Sequence, residues 1–503
     1  MQVKVATPPK VSSEVLLSIR NAIKLGGSLM VTWGISLFIL LFLPRWLGPQ
    51  VYGVVGAADN FAATCFVVLS LGMDVYIRKE IPLRPEHANE FFGAVMLFRL
   101  AMTALLLGGI FGFMWLAGST PLQMRLTLLF GLAQSFSIIK ESLAALLHAR
   151  GTVDGLSVNN IIGKILWGGG VLASVFWLQR IEGIPLALLG SKGLESLGCW
   201  WLARKHLGLR FVNLRFGALK VVLLSCLPLY LNQIFYTVYN KIDLPLLHFL
   251  LGDQEAGWYA EASKWANIAL LMTPFFGWVV VPLFARARHQ RSPEEFNQVL
   301  RRMLELILSM AIPLSLFIAL GADFLISITA GPQYPEAVLA MRIRAPVYAF
   351  MYVSMISSMA LIMEERAWTV MGISASGLVL NVVLNVLCLQ AAAAWLGPGG
   401  GGAGAATIQL LTEGGVMLIM FAALGKRCFD RRSGGVLLRT ALVCTMVIGL
   451  HQGLLVYTSW KVLYRLSVDV VAYFFLAVLL RAVNLRETYD FVRMAFKKER
   501  AAS

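Results

Sequence analysis

The sequence predicts an all-α polytopic membrane protein with about fourteen transmembrane helices. They are expected to form two six-helix lobes around a central cavity, plus two extra C-terminal helices, with both termini on the cytoplasmic side. Three observations support this prediction: the length of the apolar segments, the placement of lysine and arginine between them, and a motif that recurs in the two halves of the chain.

The apolar segments are numerous and long. Of the 503 residues, 58% are hydrophobic and only 14% are charged, whereas a soluble domain carries about a quarter charged residues. A segment of ~20 apolar residues can cross the hydrocarbon layer, and helices are expected there because lipid offers the backbone no hydrogen-bond partners. The predicted spans are 22–44, 54–77, 91–117, 122–147, 157–178, 184–203, 219–251, 256–284, 299–328, 336–363, 367–391, 402–424, 436–458 and 463–481.

The positive charges indicate how these spans are oriented. The net charge is +16, and 30 of the 43 lysines and arginines fall in the N-terminus, the even-numbered loops and the C-terminal tail, against five in the opposite loops. Because cytoplasmic loops carry the excess of basic residues, both termini are predicted to be cytoplasmic. The basic charge is therefore a topology signal that also suits anionic lipid head groups, and it does not indicate nucleic-acid binding.

A short motif recurs along the chain. The pattern L-G-x-Q-x-x-G occurs at 47–53 and again at 251–257, an offset of 204 residues, and Ala-Gly follows the third and the ninth spans. Six spans separate the members of each pair, which indicates parallel repeats, with chance similarity of glycine-rich turns as the alternative. The predicted division is an N-terminal lobe (1–216), a C-terminal lobe (217–430) and two further helices with a cytoplasmic tail (431–503).

Several classes of chemistry lack their sequence signatures. The chain has no GxxxxGK[ST], HExxH or GxSxG motif, and its six cysteines form no CxxC pair, so neither an ATPase nor a metal site is predicted. All gaps between spans are short, whereas a membrane glycan polymerase or ligase is expected to carry a large loop that holds its catalytic residues. The sequence therefore favours transport over an enzyme.

Charged residues within the spans suggest where a substrate binds. An ionisable side chain at the bilayer centre costs ~3 kcal/mol or more, so it is expected to face a cavity or to pair with another charge. Lys192 with Glu195, and Glu261 with Lys264, are three residues apart and can pair on one helix.

The remaining basic residues predict a cationic cavity for an anionic substrate, since guanidinium and ammonium groups bind phosphate. Interhelical ion pairs that only hold the lobes together are the alternative. The candidate substrate-binding residues are Arg99, Lys164, Lys241, Arg342 and Arg344. Asp59 and Asp243 are candidates for a coupling site for Na⁺ or a proton, and no other cofactor is expected.

Six stretches, in this order and spacing, resemble one family of transporters. They are LGPQVYG (47–53), LGMDVYIRKEI (71–81), KIDLPLLHFLLGDQEAGWYAEASKW (241–265), AGPQYPEA (330–337), NVVLNVLCL (381–389) and GAGAATIQLLTEGGV (402–416). Over most of its length the chain is similar to the Wzx-like polysaccharide flippases of the multidrug/oligosaccharidyl-lipid/polysaccharide (MOP) exporter superfamily. Asp243 fits that family's acidic position in the seventh helix.

This resemblance implies translocation of undecaprenyl-diphosphate-linked oligosaccharides by alternating access, in the bacterial inner membrane and for cell-surface polysaccharide biosynthesis. The implied partners are the lipid-linked substrate, membrane lipids and other polysaccharide assembly proteins. Many members of the family have twelve helices, whereas this chain is predicted to have fourteen, as in the lipid II flippases (MurJ-like). A lipid II flippase and a small-molecule or drug antiporter of the same superfamily therefore remain alternatives.

Overall fold

The computed structural model describes residues 11–73, 77, 88–149, 154–208, 216–269, 284, 293–428 and 430–482. Every regular element within these ranges is helical, which confirms the prediction of an all-α fold. The α-helices are α1 (Val11–Phe66), α2 (Ala88–Leu116), α3 (Pro121–Ala149), α4 (Asp154–Ala173), α5 (Gly183–Leu207), α6 (Phe216–Lys241), α7 (Asp243–Leu251), α8 (Asp253–Ala269), α9 (Pro293–Leu320), α10 (Ala322–Thr329), α11 (Ala337–Arg344), α12 (Val347–Met363), α13 (Ala367–Leu396), α14 (Gly400–Leu424), α15 (Arg431–Tyr457) and α16 (Val462–Leu479).

Ten segments of the described chain are long and apolar enough to cross a membrane, which confirms a polytopic membrane protein. One of them, Leu29–Ser70, has 42 residues, about twice the ~20 that a single crossing needs, and it overlaps two predicted spans, 22–44 and 54–77. Predicted spans 184–203 and 219–251 fall on α5, α6 and α7, which are not among the ten. Most of span 256–284 falls on α8 and on residues outside the described ranges. The figure of fourteen crossings and the cytoplasmic termini stay predictions.

The backbone of α1 breaks at Gly48, inside the first copy of the recurring motif. Gly48 has φ 73° and ψ 165°, a region that a residue without Cβ adopts at little cost. Gly252, at the same position of the second copy, separates α7 from α8 with φ 96° and ψ 178°. The two copies thus share a backbone conformation as well as a sequence.

The two copies also touch each other in a reciprocal way. A Cβ placed on Gly53 would lie 2.0 Å from the Asp253 carbonyl oxygen, and one on Gly257 would lie 1.8 Å from the Pro49 carbonyl oxygen. The seventh residue of each copy therefore meets the third residue of the other. Contacts of the form i to j and j to i are what a two-fold relation produces, so the repeat is visible in the packing of α1 against α8.

Further hydrogen bonds join α1 to the second half of the chain beside this glycine contact. The Tyr334 hydroxyl donates to the Pro44 carbonyl at 2.9 Å, and Lys264 Nζ donates to the Leu41 carbonyl at 3.1 Å. Pro44 and the break at Gly48 interrupt the helical hydrogen-bond pattern, so side chains from the other half of the chain bind carbonyls near the interruption.

The last two helices, α15 and α16, pack on each other and on α9. Val443, Val447, Leu316 and Tyr473 form their buried contact. Within it, His451 Nδ1 and Asp469 Oδ2 lie 2.6 Å apart and join α15 to α16. This pair is a polar contact inside an otherwise apolar interface.

Candidate functional site

The predicted site residues do not form one cluster. Arg99 of α2 is buried, and its guanidinium donates to backbone carbonyls and a serine hydroxyl of the protein itself. Its side chain is 1% exposed. Its Nε donates to the Leu69 carbonyl at 2.9 Å, its Nη2 to the Ser70 carbonyl at 3.2 Å and its Nη1 to Ser142 Oγ at 3.0 Å. Leu69 and Ser70 end a 3-10 turn that leads into the left-handed Leu71, so Arg99 satisfies carbonyls that have lost their helical partners.

The two arginines of α11 differ from each other. Arg342 pairs with Asp323 of α10, and both side chains are about half exposed. Arg344 is buried, donates to the Tyr259 hydroxyl and lies 4.0 Å from Asp243 Oδ2. The structure therefore places Arg344, but not Arg342, beside the predicted coupling residue Asp243.

Asp243 lies in a buried polar network at the start of α7. The Tyr259 hydroxyl donates to its Oδ2 at 2.8 Å, and Asn385 Nδ2 donates to its Oδ1 at 2.9 Å. Asn381 continues the network by donating to Gln409 Oε1 at 3.2 Å. Two donors and the Arg344 guanidinium thus surround the Asp243 carboxyl group.

Asp59 and Lys241 are brought together from different parts of the chain. Gln134 Nε2 of α3 donates to Asp59 Oδ1 at 3.3 Å, and Lys241, at the end of α6, lies within electrostatic reach of the same carboxylate. A candidate coupling acid therefore faces a candidate substrate-binding base.

Lys164 belongs to a group that we call the lysine cluster: Lys140 of α3, Lys164 of α4, and Lys192 and Glu195 of α5. Lys140 Nζ and Lys192 Nζ lie 3.4 and 2.9 Å from Glu195 Oε2. Lys164 Nζ lies 4.5 Å above the Trp167 ring and within electrostatic reach of the other three. Two ammonium groups thus contact a single carboxylate, and a third, that of Lys164, lies within electrostatic reach of it.

Close helix packing fixes Glu195 at the centre of this cluster. A Cβ on Gly163 would lie 2.2 Å from Glu195 Oε1, so α4 and α5 approach this closely only because that position lacks a side chain. Ser191 Oγ donates to the Gly163 carbonyl at 2.7 Å, and Asn159 Nδ2 donates to the Glu195 carbonyl at 2.8 Å. The carboxylate therefore has a fixed position relative to both helices.

The lysines lie on the inward sides of their helices. Large exposed apolar residues, among them Ile162 on α4 and Leu194 on α5, mark the sides that suit lipid. Lys164 and Lys192 are each two residues from one of these positions, which places them on the opposite face of a helix with 3.6 residues per turn. The Lys140 and Lys192 side chains are 18% and 16% exposed. The cluster is thus a largely buried group with an excess of positive charge.

Sequence reasoning missed Lys140 as a site residue. It was one of eight basic residues within spans, but its carboxylate partner lies 55 residues away on another helix, which no local spacing reveals. Within the described residues, no group of three or more His, Cys, Asp or Glu is arranged to hold a metal ion.

The fold defines a class: a helical, multi-pass membrane protein with charged side chains inside its helical bundle. The sequence matches the model of the polysaccharide biosynthesis protein family over residues 18–288, and the MatE model over residues 228–387. Since the first match spans more than half of the chain, the protein belongs to the polysaccharide biosynthesis protein family.

Solved structures with the same fold include a lipid II flippase. MurJ in its inward closed conformation gives a TM-score of 0.71 at 13% identity, covering 94% of this chain and 100% of that one. An inward-facing multidrug resistance MATE transporter gives 0.57 at 14%, covering 78% and 96%. A MOP superfamily transporter from Pyrococcus furiosus, titled as having a binding pocket of reversed polarity, gives 0.55 at 15%, covering 82% and 96%. No curated protein sequence matches the chain.

Proposed function

We propose that this protein translocates undecaprenyl-diphosphate-linked oligosaccharide repeat units across the bacterial plasma membrane by alternating access. The observation that carries the proposal is the lysine cluster, in which Glu195 offsets only one of three ammonium groups. The diphosphate of such a substrate is anionic. Charges attract more strongly in the low dielectric of a membrane protein than in water, so the cluster is suited to bind that group.

Membership of the polysaccharide biosynthesis protein family supports the substrate class. The direct contacts of α1 with α8 support a closed state in which two lobes, 1–216 and 217–430, meet at the glycine motifs. Asp59 and Asp243 are the proposed coupling residues for Na⁺ or a proton. Membrane lipids and other polysaccharide assembly proteins are the proposed partners.

A lipid II flippase is the second candidate, favoured by the likeness to MurJ over 94% of this chain. Its substrate also carries a diphosphate, so the lysine cluster would suit either one. A drug antiporter is less favoured, because a site with excess positive charge repels cationic drugs.

Lysine substitutions test the proposal in cells. Lys164→Ala and Lys192→Ala are each expected to reduce surface polysaccharide by tenfold or more and to leave the lipid-linked repeat unit on the cytoplasmic face. Lys205→Ala is the matched control, because Lys205 also lies on α5 and over a tryptophan ring, 5.0 Å from the Trp201 centroid, but outside the cluster. Normal translocation in both cluster variants at normal abundance would refute the role of the cluster.

Gene deletion separates the two candidate substrates. If deletion strands the polysaccharide repeat unit inside and leaves peptidoglycan synthesis intact, the first proposal stands. If lipid II is stranded instead, the second one does.

A further inference from the structure

The buried acidic residues that the structure describes have charged or well-aligned polar partners, and Glu413 of α14 differs from them in this respect. Glu195 has lysine partners, Glu261 lies 2.7 Å from Lys264 Nζ, and Asp469 pairs with His451. Glu413 is 0% exposed, and among the described residues its carboxyl oxygens meet no basic partner and no well-aligned hydrogen-bond donor, although the neutral Tyr239 hydroxyl faces them.

The charged and titratable groups around Glu413 give it little support as an anion. Polar groups from six neighbouring helices face Glu413 or the polar network beside it. Of these helices, α13 contributes only the amides of Asn381 and Asn385. The others are Tyr236 and Tyr239 on α6, Asp243 on α7, Tyr259 on α8, Arg344 on α11 and Tyr348 on α12.

Arg344 is the positive charge in this group, and Asp243 already balances it. The guanidinium lies 4.0 Å from Asp243 and donates to Tyr259, which in turn donates to Asp243. If Glu413 were also ionised, the group would bury a net negative charge, with only a neutral hydroxyl, that of Tyr239, facing the Glu413 carboxylate among the described residues. Burial of an unpaired charge is strongly unfavourable, and the carboxyl group avoids it by holding a proton.

We propose that Glu413 is a proton-binding site of this transporter. In the conformation described above, one carboxyl oxygen carries the proton. When the surrounding helices separate during the transport cycle, water solvates the carboxylate and the proton leaves to that water. The part of this inference that concerns the cycle rests on the proposed flippase function, whereas the bound proton does not.

Infrared spectroscopy of the purified protein tests the bound proton without any transport assay. A protonated carboxyl group has a C=O stretch distinct from that of a carboxylate. Glu413→Gln is expected to remove a band of this kind, whereas Glu195→Gln is expected to leave it. The control is matched in residue type and burial but differs in its lysine partners. A spectrum in this region that is the same with and without Glu413 would overturn the proposal.

A second variant keeps the test valid if the amide is poorly tolerated. Glu413→Met has a neutral side chain of similar length, so it is expected to replace a protonated carboxyl group that has no ionic partner with little change in Tm. A large loss of Tm in Glu413→Met, with no loss of the infrared band, would show that the side chain is an anion with partners.

Reconstituted vesicles test the cycle. The wild type is expected to translocate a lipid-linked oligosaccharide at a rate that changes with an imposed pH gradient, and Glu413→Gln at a rate that does not. Translocation that follows the gradient equally in both proteins would refute a coupling role. If the band is present but the wild type moves no lipid-linked oligosaccharide, the proposed function fails and the proton site stands.

Discussion

At the residue scale, Arg99 shows how a buried charge can serve the fold. Arg99→Ala would leave the Leu69 and Ser70 carbonyls without their donor, and each buried unsatisfied group costs about 1–3 kcal/mol. We therefore expect a clear drop in Tm in detergent. Arg99→Lys should recover only part of it, because an ammonium lacks the planar fork that reaches two carbonyls.

Arg342→Ala is the control for this prediction. Arg342 pairs with Asp323 at the surface, with both side chains about half exposed, and such pairs contribute ~0–1 kcal/mol. Equal losses of Tm in the Arg99 and Arg342 variants, measured by thermal unfolding, would contradict the structural role of Arg99.

The individual charges also show what a sequence can predict at this scale. The local pairs Lys192–Glu195 and Glu261–Lys264 were open to prediction because three residues on a helix bring side chains together, and the structure contains both. The partners of Arg99 and Lys140 come from other helices. Their spacing in the sequence carries no information about that contact, so the make-up of the lysine cluster was hidden.

At the scale of elements, the approach of α1 to α8 depends on two glycines. Gly257→Ala would place a methyl group about where the Pro49 carbonyl lies, and backbone cannot move aside as a flexible side chain can. We expect this variant to be unable to close the contact and to lose transport. Gly449→Ala on α15 is the control, because nothing lies within 4 Å of the position of its added Cβ.

Spin labels can report this closure directly. Gln50 and Gln254 are exposed, and each is the fourth residue of one motif copy. The distance between labels at these two positions is expected to be longer in Gly257→Ala than in the parent protein. Equal distances in the two proteins, together with normal transport, would mean that the glycine contact does not control closure.

The helices themselves followed from hydropathy, because a long apolar segment in lipid has little alternative to a helix. The breaks within these helices could not be predicted from hydropathy. Span 219–251 was predicted as one element, whereas the structure divides it at Ile242 into α6 and α7. The break at Gly48 lies within a stretch that remains helical on both sides. Such breaks depend on packing between helices: the repeated glycine motif marks the one at Gly48, whereas no motif marks the one at Ile242.

At the scale of the whole molecule, the recurring motif and the loop charges make one joint prediction about topology. If six spans separate the two motif copies, Gln50 and Gln254 must lie on the same side of the membrane. The excess of basic residues in the alternate loops places that side outside the cell. Lys426 follows α14, in a loop predicted to be cytoplasmic.

Single cysteines at these positions, in a variant without the six native cysteines, test this prediction. A thiol reagent that cannot cross the membrane is expected to label Gln50→Cys and Gln254→Cys in intact cells, and Lys426→Cys only after permeabilisation. Labelling of Gln50→Cys without Gln254→Cys would mean an odd number of crossings between them. The motif copies would then have opposite orientations in the membrane, and the two-fold relation seen in their packing could not lie along the membrane normal.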